Sequence, residues 1–275
     1  MFNKTLCVFA MISFLLMGCN DSDIDTAKRS VETTSAIQGE QTEEQNEKVE
    51  TKNENEKVEE ADVPAQYRLN KANGSFEPIE DADPKVVLLT FDDAPDKYSL
   101  DIAKTLHRLH VPAIFFVNGH FFETDDEKKK TLKKIHDMGF FIGNHTYSHV
   151  NLKEQTEESQ KKEIVKLNDL VEETVGERPK FIRAPFGANT DYSKEMAEKE
   201  KMLVMNWTYG YDWEKEYQNK KALTNIMLNS EYLTNGANLL MHDRKWTSEA
   251  IEDIVIGFQK KGYKFLDPRL IETPK

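Results

Sequence analysis

Seven short apolar runs punctuate the second two-thirds of the chain, at residues 86–91, 113–117, 140–143, 180–183, 203–207, 237–241 and 263–266. Most are continuously hydrophobic rather than alternating, which is how strands covered on both faces read. Between them the spacing changes to the helical one. A helix is predicted from Ser99, as its cap, to about His110, with Ile102, Ala103, Leu106 and Leu109 on one face. A second starts at Asp125 or Asp126 and stops at Gly139. A third runs from about Thr156 to Val175, buries Ile164, Leu167, Leu170 and Val171, and ends at Gly176. Further helices are predicted near 192–200, 220–229 and 248–261. Strand and helix alternate about seven times, which predicts a parallel α/β fold. One (β/α) barrel suits residues 63–275 better than two domains.

Composition divides the chain before that point. Residues 20–62 hold fourteen acidic and five basic side chains, no aromatic residue and no apolar periodicity. They account for −9 of the net charge of −12, so the part from Val63 onward is only mildly acidic. The segment reads as a self-repelling disordered tether. Residues 1–18 read as an export signal, with Lys4 before an apolar stretch too short to span a bilayer. That stretch ends in Leu16–Met17–Gly18–Cys19, which resembles the bacterial lipobox. The resemblance implies cleavage before Cys19 and lipidation of its thiol, anchoring residues 19–62 and the domain 63–275 to the outer face of a cell membrane. The partner expected for this segment is that membrane. Nucleic acid is not expected, since no basic run with interleaved aromatics is present.

Both cysteines, Cys7 and Cys19, precede the domain. A metal bound there must use His, Asp, Glu and water. His145 and His149 are four apart and can converge on one ion, although an isolated pair of this kind is as well explained as two strand-end histidines. Asp92–Asp93 follows the first run, Arg183 closes the fourth and His242 closes the sixth. In a barrel these ends meet on the face where chemistry sits. Asp93, His145 and His149 give one carboxylate and two imidazoles and leave a coordination position open, as catalytic zinc sites do. Asp92 is then a candidate proton acceptor, Arg183 its ion partner and His242 a candidate acid. His120 and the aromatics Phe121, Phe122, Tyr209, Tyr211 and Trp246 are weaker candidates for substrate contacts, with a structural role or core packing at least as good an explanation.

Thr90–Phe91–Asp92–Asp93–Ala94, His145–Thr146–Tyr147–Ser148–His149, Arg183–Ala184–Pro185–Phe186–Gly187, Asp212–Trp213 and Leu240–Met241–His242 resemble, in order, the motifs of the polysaccharide deacetylases of carbohydrate esterase family four. The resemblance implies a distorted (β/α)7 barrel and a zinc ion, sometimes cobalt. The substrates it implies are N-acetylated glycans such as peptidoglycan and chitin, or O-acetylated xylan. By motif match it implies Asp92 as general base, Asp93, His145 and His149 as ligands, and Arg183 as the partner of the base. It implies the Phe186 N–H as an oxyanion donor, Trp213 and Leu240 as walls of the acetyl pocket, and His242 as the acid. Two departures stand out: Ala94 replaces a glycine, and Tyr209 stands where an aspartate that tunes the acid is expected. Either Asp212 supports His242 instead, or one limb of the pH profile is shifted. The competing expectation is a non-catalytic glycan-binding or regulatory protein on the same scaffold.

Overall fold

The structure, a computed structural model, describes residues 63–275. The signal segment, Cys19 and the acidic tether lie outside the described residues.

A small antiparallel hairpin, β1 (Tyr67–Leu69) and β2 (Phe76–Pro78), precedes the main sheet. The sheet itself is parallel throughout. Its strands are β3 (Val86–Ala94), β4 (Ala113–Val117), β5 (Phe141–Asn144), β6 (Phe181–Ile182), β7 (Leu203–Val204), β8 (Tyr209–Gly210), β9 (Ala237–His242) and β10 (Lys264–Phe265). The order across it is β7-β6-β5-β4-β3-β9-β8, with β10 beside the start of β3. No pairing joins β7 to β8 among the described residues, so the barrel curls without closing. The expected α/β barrel is present, distorted at this seam.

Helices α1 (Ser99–Arg108), α2 (Gly119–Phe122), α3 (Asp126–Asp137), α4 (Glu157–Val175), α5 (Asp191–Lys199), α6 (Lys220–Asn229) and α7 (Lys245–Lys260) connect the strands. Their ends have local causes. Asp125 accepts from the N–H groups of Glu127 and Lys128, and Thr156 accepts from Ser159. Gly176, at φ 83°, closes α4 in the left-handed conformation that glycine adopts without a steric penalty. One expected cap is different. Ser99 is the first residue of α1, and its hydroxyl donates to Asp243 beyond β9. Asp243 also accepts the backbone N–H groups of Asp96, Lys97, Tyr98 and Ser99 at 2.6–3.1 Å. One carboxylate therefore ties the loop after β3 to the end of β9.

Both faces of the sheet are covered. Leu89, Phe91, Phe115, Val117, Leu239 and Met241 pack with Leu106, Ile135, Val171, Ile254 and Phe258 of the helices. On the other face Leu88, Ile114, Phe116 and Phe181 pack with Tyr67, Phe76 and Leu266. Truncating one such buried phenylalanine to alanine costs about 3–5 kcal/mol, enough to hold strand ends in fixed positions. Gly143 fits this packing closely, since a Cβ there would lie 2.5 Å from the Phe116 ring. That ring in turn lies 4.3 Å from the guanidinium of Arg183.

Candidate active site

The register of the sheet brings the polar strand ends together at its carboxyl edge. Asp92 of β3 lies directly opposite His242 of β9, and Asn144 of β5 opposite Ile182 of β6, which sets His145 and Arg183 side by side. Asp93, His145 and His149 each present one ligand atom, all within 4.8 Å of one another. His149 Nε2 is 3.4 Å and His145 Nε2 3.9 Å from Asp93 Oδ1. Ligands bound to a tetrahedral ion at ~2.0–2.1 Å lie roughly 3.3 Å apart, so the three fit a divalent metal with little adjustment.

The protonation states fit as well. The Nδ1 of His145 donates to the carbonyl oxygen of Arg183 at 2.7 Å, which leaves the Nε2 lone pair facing the site. Burial pulls the His145 pKa below the ordinary imidazole value and keeps the ring neutral. Burial opposes ionisation of Asp93, but the positive groups around it, His242 foremost and Arg244 among them, outweigh that and hold its carboxyl below the usual range. A neutral imidazole and an ionised carboxylate are the forms that bind metal. Arg244 donates to Asp93 Oδ2 at 2.8 Å, leaving Oδ1 toward the histidines.

Asp92 is buried, with Oδ1 2.7 Å from Arg183 Nη1 and Oδ2 3.5 Å from His145 Nε2. Arg183 is a fully buried cation, not a surface one. Its guanidinium donates to Thr90 Oγ1 at 2.8 Å and to the carbonyls of Met205 and Asn206 at 3.2 and 3.0 Å. It thereby bridges β3 to the chain that crosses the open seam. Burial presses its pKa down, and the Asp92 carboxylate opposes that.

His242 stands across the site. Its Nδ1 lies 2.7 Å from Asp212 Oδ1, and its backbone N–H donates to Oδ2 at 2.6 Å. Thr247 Oγ1 donates to Oδ2, and Trp246 Nε1 donates to the Asp212 carbonyl. Burial works against charge on His242, but Asp212 outweighs it and raises the pKa above the ordinary value. Tyr209 has no part here. It is buried in the core with its hydroxyl on the Met227 carbonyl, so its substitution for an aspartate leaves His242 supported. Ala94 is likewise accommodated. It is not among the residues with positive φ, and its methyl group is buried in the core.

Two aromatic side chains remain exposed at the rim, Phe186 at 70% and Trp213 at 42%. The Phe186 ring packs edge-on against His149 and the Trp213 ring against His242, while Leu240 is buried nearby on β9. Of the weaker candidates, Phe122 is core and Tyr211 is bonded to Ser230. Trp246 holds Asp212, and Phe121 is half-buried beneath Lys128. His120 is exposed with Nδ1 3.1 Å from the Tyr147 carbonyl. Residue-type reasoning left Asp243 without a role and passed over Arg244 and Glu163. Asp93, Thr146, His149 and Phe186 all have φ between 56° and 66°. Such backbone costs of order 1–3 kcal/mol per residue and concentrates at functional sites.

Removing the Asp212 charge has a directional consequence. In Asp212→Asn the main opposition to burial is gone and only Asp92 and Asp93 still favour the charged ring, so His242 loses its proton at lower pH. If His242 serves as the acid, the alkaline limb of kcat/KM moves toward lower pH and kcat at neutral pH falls by about ten- to a hundredfold. A pH–rate profile with an unmoved alkaline limb would contradict this assignment.

Comparison with known proteins agrees with the geometry. The polysaccharide deacetylase family model matches residues 79–226. A peptidoglycan-N-acetylglucosamine deacetylase of Bacillus cereus is 29% identical over 197 residues, 69% of each chain. The peptidoglycan-N-acetylmuramic acid deacetylase PdaC of Bacillus subtilis is 30% identical over 198 residues, 71% of this chain but only 40% of PdaC. The structure of PdaC superposes with a TM-score of 0.60 at 29% identity, covering 68% of this chain and 90% of that one. A pseudoenzyme of carbohydrate esterase family 4 from Bacillus anthracis superposes with a TM-score of 0.61 at 26% identity, covering 67% and 64%. With its motifs gathered at the carboxyl edge of the sheet and the family model spanning more than half its length, the chain belongs to the polysaccharide deacetylase family.

Proposed function

We propose that the protein is a zinc-dependent hydrolase that removes N-acetyl groups from cell-wall glycan, either peptidoglycan or chitin oligomers. The observation that supports this reading best is the flanking of one three-ligand site by two differently prepared groups. Asp92 is a carboxylate 2.7 Å from the Arg183 guanidinium, and His242 is an imidazole whose pKa the neighbouring Asp212 raises. A proton acceptor and a proton donor on either side of one site are what acid–base chemistry requires.

A divalent ion held by Asp93, His145 and His149, zinc or alternatively cobalt, supplies Lewis acidity at the acetyl carbonyl and lowers the pKa of water. Asp92 takes the proton from the attacking water, and Arg183, 2.7 Å away, keeps it oriented. The N–H of Phe186, turned by the left-handed backbone there, donates to the developing oxyanion. His242 gives its proton to the departing amine nitrogen. Leu240 and Trp213 line the space for the acetyl methyl group, and the exposed faces of Trp213 and Phe186 suit contact with sugar rings. Export and anchoring through Cys19 belong to the same reading, since they would hold the domain beside the cell wall.

Substrate class is tested by incubating the metal-loaded domain, residues 63–275, with peptidoglycan, chitin oligomers and acetylated xylan in parallel. Mass spectrometry of the products then locates new free amines. Amines on glucosamine or muramic residues, or on chitin oligomers, are expected. Acetate from xylan alone would contradict N-deacetylation. The non-catalytic reading draws on the similarity to a pseudoenzyme, and it predicts binding without product on every glycan.

A further inference from the structure

The two histidines of the site are held in different ways. His145 is buried, and its own ring is fixed by the bond from Nδ1 to the Arg183 carbonyl. His149 is partly exposed, and no hydrogen bond to its Nδ1 is found among the described residues. Its position depends on the backbone of the loop that bears it, which turns left-handed at Thr146 and again at His149 itself. The residue immediately before it, Ser148, places both of its donors on one side chain. Its N–H donates to Glu163 Oε2 at 2.7 Å and its hydroxyl to Glu163 Oε1 at 2.8 Å. The carbonyl of the same Glu163 accepts the N–H of Tyr147 at 3.0 Å. Glu163 sits in α4, whose inner face packs against the sheet through Ile164 and Leu167. The loop is thus pinned to a rigid element by three bonds to one residue, all next to His149.

We propose that Glu163 is a positioning residue for the metal site: it sets His149 as a ligand through Ser148. The proposal rests on the reading of Asp93, His145 and His149 as metal ligands. Groups that orient a ligand without touching the metal typically govern 10- to 100-fold in metal affinity. The chemistry required is bonding more than charge. A glutamine at 163 can accept the Ser148 N–H through its carbonyl and donate to the Ser148 hydroxyl, whereas an alanine can do neither.

The test is zinc affinity of the purified domain, measured with Zn2+ alone by competition against a chromophoric chelator. The Co2+ absorption spectrum reports ligand geometry, and thermal unfolding is followed in parallel. Glu163→Ala is expected to bind zinc about 10- to 100-fold more weakly and to show an altered cobalt spectrum. Glu163→Gln should stay within about threefold of wild type. Ser148→Ala, which removes one bond and leaves α4 untouched, should fall between the two. It keeps the test decisive if Glu163→Ala does not fold. Wild-type zinc affinity and an unchanged cobalt spectrum in Glu163→Ala, or in Ser148→Ala where only that variant folds, would overturn the proposal and leave Glu163 a structural residue. Failure of wild-type protein itself to bind zinc would overturn it differently, by removing the metal-site reading beneath it.

Discussion

Arg183→Met is expected to lower the stability of the domain by about 3–5 kcal/mol, the cost of leaving one partner of a buried ion pair uncompensated. Methionine fills much of the same space, so the loss is electrostatic rather than a cavity. Without the guanidinium, Asp92 loses its ion partner in a buried site, the Met205 carbonyl loses its side-chain donor, and the Asn206 carbonyl keeps only Asn238. The seam between β7 and β8 loses the side chain that bridges it. For a domain of this size the penalty corresponds to roughly 6–20 °C in Tm. Thermal unfolding of the variant measures it, and a shift below about 2 °C would mean that the pair contributes nothing net. A double variant sharpens the reading. Adding Asp92→Asn to Arg183→Met removes the stranded charge, so part of the loss should be recovered, and the two effects should not add.

Asp92→Asn alone is expected to reduce kcat by about 10²- to 10⁴-fold with little change in KM, the usual range for a lost general base. Asparagine keeps an acceptor toward Arg183 Nη1 and preserves shape. It cannot take a proton. Since Asp92 is outside the proposed ligand set, zinc content should be unchanged, and a metal assay beside the kinetics checks that. Equal activity in variant and wild type would remove Asp92 from the mechanism. A parallel loss of metal would mean that Asp92 had been given the wrong role.

Much of this was legible in the chain because parallel strands covered on both faces read as unbroken apolar runs. The runs at 86–91, 113–117 and 237–241 became β3, β4 and β9, and the polar residues ending β3 and β9 became the centre of the site. Short elements were not legible. β8 is two residues long and α2 four, too few for any period, and the strands of the first hairpin have three each. Nor does a local pattern announce the left-handed backbone at Asp93, Thr146, His149 and Phe186, since none is a glycine. Tertiary partners were the other gap. Asp212 reaches His242 across thirty residues, and Asp243 reaches Ser99 across 144. Glu163 lies in the charged stretch Lys161–Lys162–Glu163, which helical periodicity assigns to solvent, although its carboxylate holds Ser148. The depth of Arg183 was hidden for the same reason. An arginine at the end of a two-residue strand looks like a surface cation until the seam beside it is seen.

The most direct test of the central claim is acetate release from acetylated peptidoglycan by the purified domain. It would be measured as isolated with zinc, after stripping with a chelator, and after zinc is returned. Release should disappear on stripping and come back with the metal. Undiminished release from metal-free protein would contradict the role given to Asp93, His145 and His149, and no release from folded, zinc-loaded protein would contradict deacetylation of this polymer.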